Sequence, residues 1–279
     1  MILQDSIKES GGFLNRYTHD STTCQCEMTF SVFLPPQAEL EKVPAIYWLS
    51  GLTCTDDNVR TKAGAQRYAA ELGVALIFPD TSPRGQGVPD AADRYDLGKG
   101  AGFYVNATRQ PWVKHYQMYD YITVELPTLI EVGLPIIAGQ KSIMGHSMGG
   151  HGALMIALRN PESYKAVSAF SPICHPTQSA WGKGCFPTYL GGDEAQWQQY
   201  DATYLVTTGA KCAPILIDQG LADEFYEEGQ LLPEEFEVAC ERQGQALTLR
   251  MQPGYDHSYH FISSFIGEHL KRHAKALGA

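Results

Sequence analysis

The stretch Gly145-His146-Ser147-Met148-Gly149 decides the fold of this chain. It follows the apolar run 134–138 and a short link to Ile143, and it opens a segment, 150–159, whose composition predicts a helix. A G-x-S-x-G sequence between a strand and a helix is typical of a sharp turn that holds a candidate nucleophile above the edge of a sheet. Because the same pattern also occurs in ordinary glycine-rich turns, the rest of the sequence has to decide its meaning.

Length and composition predict one large globular domain and argue against several classes of protein, namely membrane-spanning, secreted and nucleic-acid-binding proteins. The 279 residues, 44% of them hydrophobic, are enough for one large domain with a sizeable core. No apolar run is long enough to span a bilayer, and residues 1–9 lack the basic and apolar regions of a signal peptide, so we expect a cytoplasmic protein. The net charge of −10 disfavours partners such as nucleic acid and anionic membranes.

Cysteine usage points to the same compartment and away from a metal site. The chain has seven cysteines at irregular spacing, which predicts free thiols in a reducing environment. Cys24 and Cys26 form a C-x-C pair, but no second pair follows at the spacing of a zinc site. We therefore expect no metal and no other cofactor.

Strand-like runs alternate with helical segments along most of the chain. Strands are predicted at 27–34, 43–49, 74–78, 166–170, 214–218 and 247–251, and helices at 61–72, 119–131, 150–159, 233–243 and 258–276. The segments 82–113 and 172–199 are expected to be irregular. This alternation predicts an α/β fold with a mostly parallel central sheet and helices on both faces. No linker divides the chain, so we expect a single domain over residues 1–279 without a separate cap domain.

Two later segments supply partners for a serine nucleophile. A serine hydroxyl reacts when a histidine takes its proton, and in the α/β-hydrolase fold the order along the chain is Ser, Asp or Glu, His. Asp223 follows the predicted strand 214–218, and His257 lies between the last predicted strand and the final helix. The alternative acid, Asp218, lies at the end of its strand, where we expect it to bind the backbone of the turn. The sequence thus predicts Ser147 as nucleophile, His257 as base and Asp223 as acid.

The other histidines close to these motifs have more ordinary interpretations. His146 is expected to form part of the turn, and His151 to make a structural hydrogen bond inside the helix after Ser147. His260 falls one turn into the final helix, where we expect it to pack or to bind the backbone.

A hydrolase of this kind also needs N–H groups that stabilise the oxyanion of the tetrahedral intermediate. The first is expected to be the backbone N–H of Met148, directly after the nucleophile. The second is expected from the loop 50–54, which follows the strand ending at Leu49 and occupies the place of the glycine-rich turn of lipases. We assign it to the N–H of Leu52.

Five segments of the sequence closely resemble the S-formylglutathione hydrolase family, also called esterase D, and the likeness extends from about Gly11 to the last helix. They are 49–56, 100–108, 145–154, 218–223 and 254–259. The resemblance implies an α/β-hydrolase fold and hydrolysis of the thioester S-formylglutathione to formate and glutathione, a step of formaldehyde detoxification, with side activity on short-chain esters. It also implies the family's triad at Ser147, Asp223 and His257, and its oxyanion donors at Leu52 and Met148.

The resemblance further implies a homodimer and a thiol-reactive cysteine beside the site, which Cys54 matches. Glutathione carries two carboxylates, for which the basic candidates are Lys62, Arg84, Lys99 and Lys183, with Trp181 as an apolar wall. Two other functions stay open at this point. One is a general carboxylesterase or acetylesterase acting on small esters, and the other is a non-catalytic binding protein built on a hydrolase scaffold.

Overall fold

The computed structural model describes all 279 residues, and its nine strands form one sheet. The strands are β1 (Ile2–Glu9), β2 (Gly12–Ser21), β3 (Cys26–Leu34), β4 (Val43–Leu49), β5 (Ala75–Pro79), β6 (Ile136–His146), β7 (Val167–Phe170), β8 (Ile215–Gly220) and β9 (Leu247–Gln252). Their order across the sheet is β1-β2-β3-β5-β4-β6-β7-β8-β9. The first three strands and β5 pair antiparallel, whereas β5, β4 and β6 to β9 pair parallel. The predicted mostly parallel α/β sheet is confirmed.

Eleven α-helices accompany the sheet, together with short 3-10 turns at Pro36–Glu39 and Trp112–Lys114 and a π turn at Tyr121–Glu125. The helices are α1 (Asp56–Lys62), α2 (Ala65–Leu72), α3 (Met118–Asp120), α4 (Leu126–Gly133), α5 (Met148–Arg159), α6 (Ala180–Leu190), α7 (Glu194–Gln198), α8 (Ala202–Thr207), α9 (Glu224–Glu227), α10 (Pro233–Gln243) and α11 (Tyr259–Leu277). None of them combines the length and the apolar character of a membrane-spanning helix.

Several predicted elements differ from the structure for identifiable reasons. The helix predicted at 61–72 ends where expected, but its start is wrong, because Gly64 at φ 64° separates α1 from α2, which begins at Ala65. The segment 172–199 is not irregular but contains α6 and α7, which the glycines and the proline within α6 concealed in the sequence. The prediction of a short link between the apolar run 134–138 and Ile143 is also wrong, because β6 runs without interruption from Ile136 to His146.

The two N-terminal strands were not predicted at all. Residues of β1 are exposed on both faces at the edge of the sheet, so they show no alternation of apolar and polar residues. In β2 the buried positions include the polar residues Asn15 and His19, which break the expected apolar pattern.

The sheet separates two apolar cores, and β4 contributes to both of them. Ala45, Tyr47 and Leu49 belong to the larger core, which also contains most of α5. Ile46 and Trp48 belong to the smaller core, formed with α2 and α11. Because every residue of β4 is buried, this strand reads as a continuous apolar run, as expected for a parallel strand covered on both faces.

A buried chain of hydrogen bonds fixes α11 against the sheet. His269 Nε2 lies 2.8 Å from Asp218 Oδ2, and its Nδ1 lies 2.8 Å from Ser168 Oγ. His273 Nε2 lies 2.7 Å from the same Ser168 hydroxyl, and its Nδ1 lies 2.7 Å from Ser142 Oγ. Since a carboxylate only accepts, His269 donates to Asp218 through Nε2. When both imidazoles are neutral, each one accepts a serine O–H at Nδ1, and the chain of hydrogen bonds is complete without a charge on either buried ring.

The turn from β6 into α5 is tight and strained. Ser147 has φ 58° and ψ −121°, a backbone conformation that costs an L-residue about 1–3 kcal/mol. A Cβ at Gly149 would lie 2.0 Å from the Leu49 carbonyl oxygen, and one at Gly145 would lie 2.2 Å from the Gly149 carbonyl oxygen. Only glycine fits these two positions, so strand and helix can approach β4 closely enough to present Ser147 at the edge of the sheet.

The neutral histidines under α11 predict acid sensitivity. Burial, together with the neighbouring His269 and Arg272, lowers the pKa of His273 from 6.5 to about 3. Below pH 6.5 the unfolded chain binds a proton that folded His273 does not, so stability should fall by up to about 1.4 kcal/mol per pH unit for this group. In urea unfolding between pH 7 and pH 4.5, we expect a shallower loss of stability for His273→Gln than for wild type, although the variant is less stable at pH 7. Equal slopes would contradict this account.

The strain at Ser147 predicts an unusual order of stability among variants of this residue. Ser147→Ala keeps the strained conformation, whereas Ser147→Gly adopts it freely at an entropic cost of about 0.5–1 kcal/mol. We therefore expect the glycine variant to have the higher free energy of unfolding, by about 1 kcal/mol, in urea titrations of the two proteins. A glycine variant no more stable than the alanine variant would show that the turn is not strained.

Candidate active site

The carboxyl ends of parallel strands meet at one edge of the sheet, and the candidate residues lie there. Ser147 follows β6, Asp223 follows β8 and His257 follows β9. Ser147 and His257 line one narrow cavity of about 190 Å³. Its remaining lining residues are Gly51, Leu52, Thr53, Cys54, Tyr95, His146, Trp181 and Phe225.

Asp223 lies directly behind His257. Its buried carboxylate accepts a hydrogen bond from His257 Nδ1 at 2.6 Å through Oδ2. Its other oxygen accepts from the backbone N–H groups of Phe225 and Tyr226, which caps α9. Burial by itself would raise the pKa of Asp223, but its hydrogen bonds, foremost the one from His257, bring it below the usual value. The carboxylate is thus ionised at neutral pH and fixes the imidazole with Nε2 free to face the cavity.

The alternative acid, Asp218, makes a different set of contacts. It binds the side chains of Arg250, Gln252 and His269 rather than the backbone of the turn, so the expectation of a backbone-binding role is wrong. Burial opposes its ionisation, yet these partners lower the pKa of Asp218 to about 2. No hydrogen bond joins Asp218 to His257. Its role in the structure is to join β8, β9 and α11.

The loop after β4 packs against the turn that holds Ser147. A Cβ on Gly51 would lie 3.1 Å from Ser147 Cβ, a contact so tight that the loop or the turn would have to shift by a few tenths of an ångström. The Thr53 N–H donates to the Gly100 carbonyl at 2.9 Å and holds the loop, whereas the Leu52 N–H makes no hydrogen bond within the protein. Met148 is the first residue of α5, where an N–H has no partner within the helix.

A row of aromatic rings forms one wall of the cavity. Trp181 Nε1 donates to the Tyr95 hydroxyl at 2.8 Å, and the Trp181 ring lies 4.8 Å from that of Phe225. Phe225 in turn lies 4.8 Å from the His257 ring in an edge-to-face arrangement. Trp181 was predicted as an apolar wall, but Tyr95 and Phe225 were missed. Tyr95 belongs to a long loop without periodicity, while Phe225 could have been noticed two residues after Asp223.

Of the remaining candidate substrate-binding residues, some line the cavity and others lie outside it. Cys54 lines the cavity, and burial raises the pKa of its thiol. Lys62 is exposed and outside the cavity lining, with its Nζ 5.7 Å from the ring centroid of Tyr259. Arg84 donates hydrogen bonds to Asp80 and to the Cys54 carbonyl. It is therefore not the free cation that the sequence suggested for a glutathione carboxylate. Neither Lys99 nor Lys183 lines the cavity.

The neighbouring histidines differ in their contacts. His151 Nε2 lies 3.0 Å from the Phe103 carbonyl oxygen, which confirms the expected structural hydrogen bond. His260 is exposed, so the expectation that it packs is wrong. His146 lines the cavity and contacts the ring of His257. All seven cysteines are free thiols, as expected.

Comparison with known proteins places this site in a family. A family model described as "Putative esterase" matches residues 21–272. S-formylglutathione hydrolases from Mus musculus and Rattus norvegicus are 53% and 52% identical, over 96% and 98% of this chain and the same shares of theirs. A solved structure of an S-formylglutathione hydrolase from Agrobacterium tumefaciens superposes with a TM-score of 0.98 at 49% identity, covering 99% of this chain and 100% of that one. The chain belongs to the S-formylglutathione hydrolase family of esterases.

Proposed function

We propose that this chain hydrolyses S-formylglutathione to formate and glutathione with Ser147 as nucleophile, His257 as base and Asp223 as acid. The observation that carries the proposal is the 2.6 Å hydrogen bond from His257 to buried Asp223, with His257 and Ser147 lining the same narrow cavity. Asp223 holds the tautomer in which Nε2 is free to accept the serine proton. Family membership supplies the substrate class.

The reaction proceeds through an acyl-enzyme. His257 Nε2 takes the Ser147 proton while Oγ attacks the formyl carbonyl, and the resulting oxyanion accepts hydrogen bonds from the N–H groups of Leu52 and Met148. Collapse breaks the carbon–sulfur bond, and the imidazolium returns its proton to the glutathione sulfur. His257 then deprotonates a water molecule that attacks the formyl-serine ester and releases formate. Asp223 stabilises the imidazolium in both halves of the reaction.

Bulky side chains in the lining of the cavity favour a small acyl group. Trp181 and Phe225 line the cavity together with Ser147. A formyl group is the smallest acyl group, and each additional methylene that fits poorly costs about 1–3 kcal/mol. Longer acyl chains are therefore substrates of lower catalytic efficiency.

The glutathione moiety extends from the sulfur towards the rim of the cavity. Lys62 lies beside Tyr259, and its charge acts on the Cys54 thiol; because Arg84 is already paired with Asp80, we assign Lys62 to a glutathione carboxylate. Such a local cation is needed because the chain as a whole carries a net charge of −10. The homodimer implied by the resemblance stays a prediction.

The substrate assignment is tested by kinetics on two substrates. We expect kcat/KM to be higher for S-formylglutathione than for 4-nitrophenyl acetate, and Ser147→Ala to lower both by about 10⁴-fold or more. Ser264→Ala is a matched control, because Ser264 is exposed on α11 and donates only to the carbonyl of His260. A preference for the acetyl ester would favour a general carboxylesterase, and unchanged activity in Ser147→Ala would exclude the triad.

The position of Cys54 predicts inhibition by crowding rather than by loss of a reacting group. A bulky maleimide should inactivate the enzyme, and faster at alkaline pH because the pKa of the buried thiol is raised. Cys54→Ser should keep most of the kcat/KM for S-formylglutathione and resist the maleimide. If the maleimide inactivates Cys54→Ser at the wild-type rate, inhibition is due to another cysteine. If Cys54→Ser loses most of its activity without the reagent, Cys54 takes a direct part in the reaction.

A further inference from the structure

His146 is exceptional among the buried histidines of this protein. The others each have a ring nitrogen within hydrogen-bond distance of a protein group: His19, His115, His151, His269 and His273. His146 is 6% exposed, and neither of its ring nitrogens has a partner at hydrogen-bond geometry, although the backbone of His257 lies close enough to raise the pKa of His146 slightly against the effect of burial. An imidazole in this position carries one unpaired donor and one unpaired acceptor.

The ring of His146 packs against the base that we assign. Its centroid lies 4.5 Å from that of His257, with 44° between the planes. Tyr259 lies 6.0 Å away from the His146 ring. Phe225 contacts the His257 ring at 4.8 Å and makes no ring contact with His146, so the two aromatic groups approach His257 from different directions.

This arrangement is unfavourable for stability. A buried polar group without a partner costs about 1–3 kcal/mol, and His146 has two such atoms. A leucine or phenylalanine at this position would fill much of the same space without that cost. Unsatisfied buried groups are rare in native proteins and concentrate where function requires them.

We infer that His146 is a positioning residue for His257: its uncharged ring holds the imidazole in line with Ser147 and lies against the imidazolium that forms in the transition state. This inference rests on the function proposed above. The face of a Trp, Tyr or Phe ring stabilises an adjacent cation by about 0.5–2 kcal/mol, and we infer a contribution of the same kind from the neutral imidazole of His146. The contribution exists only while His257 is charged, so it acts on kcat rather than on substrate binding.

The charge state of His146 agrees with this role. Burial, followed by repulsion from His257, keeps the pKa of His146 well below its usual value. His146 consequently stays neutral while His257 gains and loses its proton, and no second positive charge competes beside the base.

The test compares two replacements of this ring. In His146→Leu we expect kcat to fall about 3- to 30-fold with KM changed less than twofold, while the free energy of unfolding is unchanged or higher. In His146→Phe, which retains a ring, kcat should recover most of that loss. A wild-type kcat in the leucine variant overturns the inference, and so does a phenylalanine variant that folds but is as impaired as leucine.

Control measurements separate this effect from a structural one. His273→Leu replaces an equally buried histidine whose two nitrogens are both bonded, and it should lose stability while the folded enzyme keeps its kcat. If His146→Phe does not fold, His146→Leu alone tests the inference. A lower kcat with unchanged KM and unchanged stability supports a positioning role, whereas a structural defect would lower the stability of the variant. Each variant is assayed with S-formylglutathione and with 4-nitrophenyl acetate. If the thioester is not the substrate, the variants can still be compared by their activity on the ester. Activity in Ser147→Ala would refute the proposed function itself.

Discussion

The close approach of β4, β6 and α5 is the constraint on which the rest of the site depends. Gly145 and Gly149 allow these elements to touch where any Cβ would collide with backbone atoms. The same contact forces Ser147 to a positive φ and brings the loop containing Gly51 against the turn. The proposed nucleophile and both proposed oxyanion donors are therefore positioned by one packing interaction, which explains how the serine can be held rigidly at the edge of a sheet.

The other half of the proposed triad depends on a second, polar constraint. Asp218, within β8, binds Arg250 of β9 and His269 of α11, and so it joins the elements that flank Asp223 and His257. Because its partners are side chains from both neighbours, the two loops cannot shift independently. Asp218 stabilises the geometry that Asp223 uses, although only Asp223 contacts the imidazole of His257.

The sequence predicted what has a local signal and missed what depends on tertiary contacts. The buried apolar runs were sufficient for the parallel part of the sheet, and the order of Ser147, Asp223 and His257 along the chain was sufficient to propose the triad. The strand β1 was not predictable because its residues are exposed on both faces, and α6 was concealed by its glycines and proline. Tyr95 reaches the cavity from a long loop without periodicity, whereas Phe225 lies in the short helix α9, two residues after Asp223, where it could have been noticed. Asp218 was misassigned because its side-chain partners are more than 30 residues away.

The buried histidines have two different kinds of contact, which indicates two different roles. His269 and His273 have both nitrogens bonded, so their neutral rings stabilise the packing of α11 on the sheet. His146 has neither nitrogen bonded and contacts the ring of His257 instead. A residue retained only for packing would be replaced here by an apolar side chain without loss of stability. The unpaired imidazole is accounted for by the role inferred above, in which the motif that opens α5 specifies the surroundings of the proposed base as well as the proposed nucleophile.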